Sequence, residues 1–324
     1  MTASIILLTN ILRIIKKILS IIFNSIQQLF SRLFGPLFLK LGLVERMVLI
    51  RMDGGICSQM HFYLIGCLFQ EKGYQVKFDL EFYHLFAKDI NGIFDRNFDL
   101  LKAFPNLNFQ VASKFEQIVY QTFKCYNDYT DIKDPLKYLS NHPPVYFTGW
   151  FRDPLVLYER IPSIFSFAHS HLSSRSVKVL KIIENTNYPV AIHVRRGDLS
   201  VFNFAYGEPV SSQYFNHAIK YIESQIGPAF YFIFSDEPDW VRENLILNLE
   251  IGLNYYIVDV NGSDKGYQDL FLIASCKHQI TSKGSLGKYG GFLCPHEGNI
   301  ITICDDKYER MLWERQHSNI VFIN

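Results

Sequence analysis

The chain has 324 residues, more than one hydrophobic core usually organises, so its length favours two domains of roughly 100–200 residues each. Its 32 Lys and Arg residues nearly balance its 31 Asp and Glu residues, and 48% of the residues are hydrophobic. This composition excludes a disordered chain and argues against general nucleic-acid binding. The six cysteines form no C-x-x-C pair, and neither D-x-D nor H-E-x-x-H occurs. The sequence therefore predicts neither a disulfide framework nor a metal site.

The first 46 residues carry a different charge from the rest of the chain. Six basic residues against the single acidic residue Glu45 give them a net charge of +5, so the remainder carries −4. Apolar residues recur there at steps of three and four, which predicts one apolar stripe along a helix. The stripe consists of Leu8, Leu12, Ile15, Leu19, Ile22, Ile26, Leu29 and Leu33. A spanning helix needs about 20 consecutive apolar residues, and Arg13, Lys16–Lys17 and Gln27–Gln28 interrupt every such window.

A terminal helix with one apolar face and a basic polar face is typical of segments that lie on an anionic membrane surface. We therefore expect residues 1–46 to form an amphipathic segment that binds a membrane through residues 1–40. A core or dimerisation helix is the first alternative, and a cleaved signal peptide is the second. The expected location is peripheral, on the cytoplasmic face of a membrane. If the segment spans the bilayer, the protein is instead a lumenal single-pass type II membrane protein.

From residue 47 onward, short apolar runs alternate with helical stretches, which is the pattern of an open α/β sheet. We expect a strand at Met47–Ile50, a glycine-containing turn, a helix over Ser58–Glu71 and a strand at Gln75–Leu80. Residues 81–185 show no clear period, and the sequence gives only a coarse reading of them.

The alternation becomes regular after residue 188 and predicts a second doubly wound sheet of five strands. Its strands are expected at Val190–Val194, Phe230–Ser235, Tyr255–Val260, Gln279–Ser282 and Asn299–Cys304. Helices are expected between them at Ser211–Ser224, Trp240–Leu247, Gly266–Ser275 and near Leu286–Leu293. We therefore divide the globular part into a Rossmann-like domain over 47–187 and a second one over 188–324.

The segment His193-Val194-Arg195-Arg196-Gly197-Asp198 leaves the carboxyl end of an apolar strand, where open α/β sheets place their ligand sites. Guanidinium groups form charge-assisted, often bidentate bonds to phosphate, so the arginine pair indicates a pyrophosphate site. A salt-bridge cluster anchored by Asp198 explains the pair equally well. Because successive side chains of a strand point to opposite sides, we expect one arginine to face the ligand and the other to be structural.

Two glycine-containing turns and one acidic helix residue are further candidates. Gly54 and Gly55 lie between the first strand and helix, where the backbone can approach a ligand closely. Gly284 and Ser285 precede a helix whose N-terminal amides can receive a phosphate, although neither turn matches G-x-G-x-x-G or a P-loop. Asp269 either favours the N-terminal dipole of its helix or accepts a hydrogen bond from the ring N–H of a base. A plain turn is the alternative for the segment at Gly284 and Ser285.

Four segments taken together resemble a known family. They are GGxxxQM at 54–60, YFxGxFxDP at 146–154, HxRRGD at 193–198 and DxxLxxxC at 269–276. In order and spacing they are similar to those of the family-11 α-1,2-fucosyltransferases, over about residues 47–305. The resemblance implies a GT-B fold, with two facing Rossmann-like domains and GDP-fucose held by the C-terminal one. It also implies inversion at the anomeric carbon, no metal ion and no cofactor other than the donor substrate.

The resemblance further implies roles for individual residues. Those expected to bind the donor are His193, Arg195, Arg196, Asp269, Gly284 and Ser285. Among these, His193 and Asp269 would contact guanine, and Arg195 would bind the β-phosphate and stabilise the departing GDP. Asp198 would be a structural acid and a participant in proton removal, so the catalytic pair is Arg195 and Asp198. The acceptor would contact Gly54, Gly55, Ser58, Gln59 and Trp150.

Two segments depart from the family pattern. Gly-Asn is replaced by Cys57-Ser58, and an Asn-Ser-Thr-containing loop is replaced by residues 283–289. Either Lys283 or Lys288 would supply a phosphate charge in that loop, or the choice of donor or acceptor has changed.

The implied function is transfer of L-fucose from GDP-fucose to a glycan hydroxyl, the 2-hydroxyl of galactose, in surface-polysaccharide synthesis. The acceptor would be an oligosaccharide or a lipid-linked glycan, and no nucleic-acid partner is expected. The alternatives are a transferase that uses another GDP-sugar or linkage, and a catalytically degenerate protein that binds glycan or nucleotide.

Overall fold

A computed structural model describes residues 22, 25–26, 29–30, 33–85, 96–121, 124–126, 145–148, 158, 160–167, 171–197, 199, 208–314 and 319–324. The chain divides into two compact units. The first consists of residues 1–52, 66–79 and 109–150, and the second of residues 53–65, 80–108 and 151–324. Each unit thus contains several chain segments, whereas the sequence predicts a single division of the globular part, after residue 187.

The first unit contains, within its described residues, a parallel sheet of four strands in the order β2-β1-β4-β3. The strands are β1 Val48–Arg51, β2 Val76–Asp79, β3 Lys124–Tyr126 and β4 Val145–Phe147. The predictions of β1 and β2 are confirmed to within two residues. β3 and β4 were not predicted, since they are only three residues long and lie in the stretch without a clear period.

The second unit contains a larger parallel sheet, with six strands among the residues described, in the order β10-β9-β8-β5-β6-β7. The strands are β5 Pro189–Val194, β6 Phe230–Ser235, β7 Tyr255–Val258, β8 His278–Thr281, β9 Ile301–Cys304 and β10 Ile320–Ile323. All five predicted strands are confirmed, and β10 is an additional strand that pairs with β9. The α/β class and the two Rossmann-like units expected of a GT-B fold are therefore confirmed.

Helices connect most of these strands. They are α1 at 33–40, α2 Ile56–Glu71, α3 Glu81–Leu85, α4 Leu100–Ala103, α5 Lys114–Tyr120, α6 Ile161–Ile164, α7 Ser174–Glu184, α8 Ser212–Ile226, α9 Pro238–Trp240, α10 Gly266–Ser275, α11 Leu286–Leu293 and α12 Lys307–Trp313. The helix predicted over Trp240–Leu247 is α9 followed by a π-helical turn and a 3-10 turn. α7 and α12 were not predicted, although Ser173 and Asp306 cap their N-termini through side-chain oxygens.

Strand β5 lies at the centre of the second unit, and all six of its residues are buried. Its alternate residues enter two different apolar clusters. Val190 and Ile192 pack with α8, whereas Ala191 packs with α7 and α10. Burial on both faces is what a parallel sheet covered by helices requires, and it gives the carboxyl end of β5 a fixed position.

The predicted N-terminal helix is described only in part. Residues 1–21 lie outside the described residues, and the described residues between 22 and 40 are helical. In the part of the chain that the structure describes, no helix combines the length and the hydropathy needed to cross a membrane.

Candidate functional site

A cavity of about 490 Å³ opens in the second unit at the carboxyl ends of neighbouring strands. The end of β5 contributes His193 and Arg195, and the end of β6 contributes Ser235 and Asp236. Asp259 and Asn261 follow β7, and Gly284 and Ser285 follow β8. Gly55, Cys57, Ser58, Arg96 and Asp269 also line it. Because parallel strands all end at one edge, residues far apart in sequence meet at this cavity, as open α/β sheets generally arrange.

Arg195 lies in the cavity wall and is held there by Asp236. The Nη1 atom of Arg195 donates to the Oδ2 atom of Asp236 at 2.7 Å, and the backbone N–H of Arg196 donates to its Oδ1 atom at 3.0 Å. The backbone N–H of Arg195 donates to the Oγ atom of Ser282 at 2.7 Å. Burial raises the pKa of Asp236, and the charge of Arg195 opposes that rise. The carboxylate thus fixes both the end of β5 and a cationic group with several N–H donors.

Arg196 points elsewhere. Its guanidinium lies 3.4 Å from the ring centre of Trp240, and its Nε atom donates to Glu237 at 3.2 Å. Arg196 is not among the residues that line the cavity. The two arginines are therefore separated as strand alternation predicts: Arg195 faces the cavity, and the position of Arg196 favours a structural role.

His193 contributes a neutral ring to the cavity. It is 6% exposed, and its Nδ1 atom has no hydrogen-bond partner among the described residues. Burial, together with the nearby charges of Arg195 and Lys288, lowers the pKa of His193 to about 3. The Nδ1 atom of the ring can therefore form a hydrogen bond with a ligand. A Cβ atom on Gly287 would lie 2.9 Å from the Cβ atom of His193, so α11 packs directly against this part of β5.

Asp269 lies in the first turn of α10 and lines the cavity beside Asn261. The Nδ2 atom of Asn261 donates to the Oδ1 atom of Asp269 at 2.8 Å, and Ser176 donates to the Oδ1 atom of Asn261 at 3.0 Å. Burial raises the pKa of Asp269 to about 7, although the hydrogen bond from Asn261 opposes this. The Asp269 carboxyl group is thus held in the cavity wall by Asn261, and its pKa lies near neutral pH.

Gly284 and Ser285 belong to the loop that follows β8, and they line the cavity. Lys288 does not line the cavity but holds this loop through hydrogen bonds. Gly284 has φ +81°, a left-handed conformation that side chains disfavour. The Nζ atom of Lys288 is fully buried and donates to the carbonyl oxygens of Ser282 at 2.7 Å and Gly284 at 2.9 Å. It also pairs with Glu309 at 2.7 Å.

The expectation that Lys283 or Lys288 supplies a phosphate charge is therefore wrong. Lys283 pairs with Asp306, just as Lys288 pairs with Glu309. Neither lysine is among the cavity-lining residues. Both ammonium groups are paired with carboxylates, and Lys288 also holds the loop through the carbonyl oxygens of Ser282 and Gly284.

The two segments that depart from the family pattern lie against each other. Cys57 and Ser285 both line the cavity, and the Ser285 side chain is near enough to lower the pKa of the Cys57 thiol. Burial raises the pKa of the Cys57 thiol to about 12, so this group is neutral. Both changed segments therefore contribute residues to the wall of the same cavity.

The predicted acceptor residues separate into two groups. Gly55 and Ser58 line the cavity, whereas Gly54 and Gln59 do not. The buried Gln59 donates from Nε2 to the carbonyl oxygen of Asn97 at 2.8 Å, and its Oε1 atom accepts from the backbone N–H of Asp99 at 2.9 Å. Gln59 thus fastens the segment that carries Arg96 to the cavity. Trp150 and Asp198 lie outside the described residues.

Residues 101–319, two thirds of the chain, match the family model described as Glycosyl transferase family 11. The chain belongs to this family. The resemblance drawn from the four sequence segments is confirmed, and the cavity lies largely within the matched part of this family-11 protein.

Two curated relatives extend the comparison. The family-11 chain is 31% identical over 122 residues to the O-antigen biosynthesis glycosyltransferase WbnK of Escherichia coli, covering 37% of this chain and 39% of the relative. It is 27% identical over 177 residues to galactoside alpha-(1,2)-fucosyltransferase 1 of Saimiri sciureus, covering 51% of this chain and 45% of the relative. The chain thus matches less than half the length of either relative.

Solved structures show more distant likenesses. The E. coli ADP-heptose lps heptosyltransferase II is 11% identical, with a TM-score of 0.47, over 86% of this chain and 90% of that one. POFUT1 in complex with GDP-fucose is 12% identical, with a TM-score of 0.45, over 86% of this chain and 98% of that one. The assignment to family 11 therefore rests on the sequence match.

Sequence reasoning missed four charged residues of the family-11 cavity: Asp236, Arg96, Asp99 and Asp259. Asp236 directly follows the apolar strand β6, so the strand-end rule that singled out Arg195 would also have found it. Arg96 lies within the stretch without a clear period, and no local pattern pointed to it. Among the described side chains, no group of three or more His, Cys, Asp or Glu residues is arranged to hold a metal ion. Metal-independent catalysis stays a prediction.

Proposed function

We propose that this protein is an inverting glycosyltransferase that moves L-fucose from GDP-fucose to a glycan hydroxyl, the 2-hydroxyl of galactose, without a metal ion. The observation that carries the proposal is Arg195, fixed by Asp236 at the carboxyl end of β5 in the wall of a cavity. Membership of family 11 supports the reaction class, and a relative named as a galactoside α-(1,2)-fucosyltransferase supports the linkage.

The cavity suits a nucleoside diphosphate sugar. The Arg195 guanidinium and the loop at Gly284 and Ser285 would receive the diphosphate, because guanidinium and backbone N–H groups are strong phosphate donors. Asp269 and the neutral ring of His193 would contact the guanine, whose ring N–H groups match a carboxylate acceptor.

The reaction is a single displacement. The acceptor oxygen forms a bond to C1 of fucose while the bond between C1 and the phosphate oxygen breaks on the opposite side. Negative charge gathers on the departing GDP, and Arg195 stabilises it there. The acceptor proton passes to a carboxylate or histidine, and Asp198 is the candidate that the family resemblance supplies.

We further propose that the acceptor is an oligosaccharide or lipid-linked glycan of a surface polysaccharide, and that the protein works on the cytoplasmic face of a membrane. One relative is named as an enzyme of O-antigen biosynthesis, which supports the glycan class. The net charge of +5 in residues 1–46 supports the location.

Product analysis by mass spectrometry tests the reaction. The purified full chain is mixed with GDP-fucose, GDP-mannose or UDP-galactose and β-galactosyl acceptors, and we expect product only from GDP-fucose. Arg195→Ala should lower kcat by a factor on the order of 10²–10³, because it removes a preorganised contact to the leaving group. Arg310→Ala, which removes a surface arginine paired with Asp305 and Glu314, is the matched control and should leave kcat unchanged.

Other outcomes have distinct meanings. Product from another GDP-sugar would refute fucose as the donor while keeping the transferase class. GDP binding in titration calorimetry, with no product from any donor, would refute turnover in favour of a degenerate binding protein.

A further inference from the structure

The first unit exposes a row of large apolar side chains. They lie along the helical N-terminal segment and are 40–65% exposed: Ile22, Ile26, Leu29, Phe30, Leu33, Phe34, Leu37 and Leu41. Single exposed apolar residues are common on soluble proteins, but a continuous run of them marks an interaction surface. The apolar stripe predicted from the sequence thus continues to Leu41 and faces outward.

The opposite side of this segment is fastened to the first unit. Gly35 is buried, and Phe38 and Leu39 pack against the apolar cluster that contains Met47 and Tyr120. The backbone N–H of Leu43 donates to the carbonyl oxygen of Phe38 at 2.9 Å and closes the end of the helix. The outward direction of the exposed side chains is therefore set by packing.

A second element extends the exposed row. The rings of Phe34 and Phe38 lie 6.2 Å apart, and the rings of Phe38 and Phe115 lie 5.3 Å apart. Phe115 belongs to α5 and is 41% exposed, while Val111 just before that helix is 52% exposed. The exposed side chains of Ile26, Leu29, Phe30, Leu33, Phe34, Leu37 and Leu41, together with Val111 and Phe115, are called the apolar face below.

The charged residues around the apolar face indicate which kind of partner it binds. Lys40, Arg46 and Lys114 are exposed beside it. The nearby acidic residues Glu45 and Glu116 both pair with Lys77, at 3.3 Å and 2.6 Å. Basic side chains can reach anionic headgroups while the apolar side chains enter the boundary of the acyl chains. A two-fold dimer through the same face would instead bring like charges together, which disfavours a second copy.

We propose that the apolar face is a membrane-docking surface, and that Phe115 is a second anchor outside the N-terminal segment. The face lays the first unit on the surface of a bilayer that contains anionic lipid. This inference extends the expected membrane contact beyond residues 1–40 and is independent of which sugar the protein transfers.

Vesicle sedimentation of the full chain tests the proposal. The vesicles are phosphatidylcholine alone, or roughly three parts phosphatidylcholine to one part phosphatidylglycerol. We expect stronger binding to the anionic vesicles, and a decrease of about tenfold in the partition coefficient for Leu33→Ser/Leu37→Ser and for Phe115→Ser. Leu247→Ser/Leu253→Ser makes the same change at side chains of the second unit that are 80% and 90% exposed, and should bind like the wild type.

Three results would overturn the proposal. Unchanged vesicle binding by Leu33→Ser/Leu37→Ser would exclude docking through the helix, and Phe115→Ser binding like the control would exclude the second anchor. Light scattering that shows a dimer broken by these substitutions, with unchanged vesicle binding, would assign the face to a second copy. Each variant is checked by thermal unfolding and by turnover of GDP-fucose with a soluble acceptor. Since the substituted residues lie outside the cavity, that turnover should not change, so failure of docking and failure of the proposed reaction are distinguishable.

Discussion

The two units share a parallel sheet but use the carboxyl ends of their strands differently. In the second unit the strand ends present Arg195, Asp236 and Ser285 to a cavity. In the first unit Asp79, the last residue of β2, is fully buried and accepts a hydrogen bond of 2.7 Å from the hydroxyl of Tyr146. A polar residue at a strand end is therefore not a binding group by itself. Asp79 is enclosed together with its partner, whereas Arg195 and Asp236 pair with each other and still border open space.

The largest effect is expected on the free energy of unfolding, from substitution of Lys288. This charged residue of the second unit is buried and paired with Glu309 rather than with a ligand. Lys288→Met leaves Glu309 buried without its partner, and it should lower the free energy of unfolding by about 3–5 kcal/mol. Urea unfolding measures this loss. Lys220→Met breaks an ion pair of similar length whose side chains are 60% and 57% exposed, and should cost less than about 1 kcal/mol.

A double variant separates the two roles of this lysine. In Lys288→Met/Glu309→Leu no lone charge is buried, so much of the stability should return. The carbonyl oxygens of Ser282 and Gly284 still lack their donor, so KM for GDP-fucose should stay raised. A normal KM in the double variant would show that Lys288 does not position the loop.

A smaller effect is expected at Asp269, where a strand-end polar group should meet the ligand. Its pKa of about 7 means that the carboxyl is largely neutral below that pH and ionised above it. The ring N–H groups of guanine favour the ionised acceptor, so KM for GDP-fucose should fall as pH rises through about 7. Asp269→Asn should raise KM roughly tenfold or more and abolish this dependence. A pH dependence that survives in the asparagine variant would contradict the contact.

The stability of the folded protein gives a second test of Asp269. Ligand binding should improve as pH rises through about 7, whereas stability should decrease as pH rises. Burial raises its folded-state pKa from 3.8 to about 7, so the unfolded chain ionises first as pH rises. Stability is therefore lost between about pH 4 and 7. Asp269→Asn should remove that loss, and the ligand-free variant should melt higher than the wild type at pH 8.

The smallest effect is expected in the first unit. Tyr146→Phe removes a hydrogen bond to the buried Asp79 and should lower the free energy of unfolding by about 1–2 kcal/mol. Because neither residue lines the cavity, KM for GDP-fucose should not change. A large change in KM would mean that this strand end contributes to binding after all.

The sequence was sufficient where one simple rule applied. The strand-end rule and strand alternation identified Arg195 and anticipated that one arginine of the pair would be structural. The same rule was not extended to Asp236, which could have been found. Lys288 shows a limit of sequence reasoning, because no local pattern tells whether a lysine on a helix points to a ligand or to a buried glutamate. The short strands β3 and β4 were missed because their stability comes from pairing with distant strands rather than from their own periodicity.

Cys57 and Ser285 line the same cavity, so the two departures from the family pattern meet in its wall. Residues that touch across a cavity wall constrain each other, so a replacement at one position changes which replacements the other tolerates. Residues 57–58 and 283–289 should therefore be exchanged together when the family residues are restored. We expect a chimera that restores the family residues at 57–58 alone, or at 283–289 alone, to disturb this wall more than the paired exchange does.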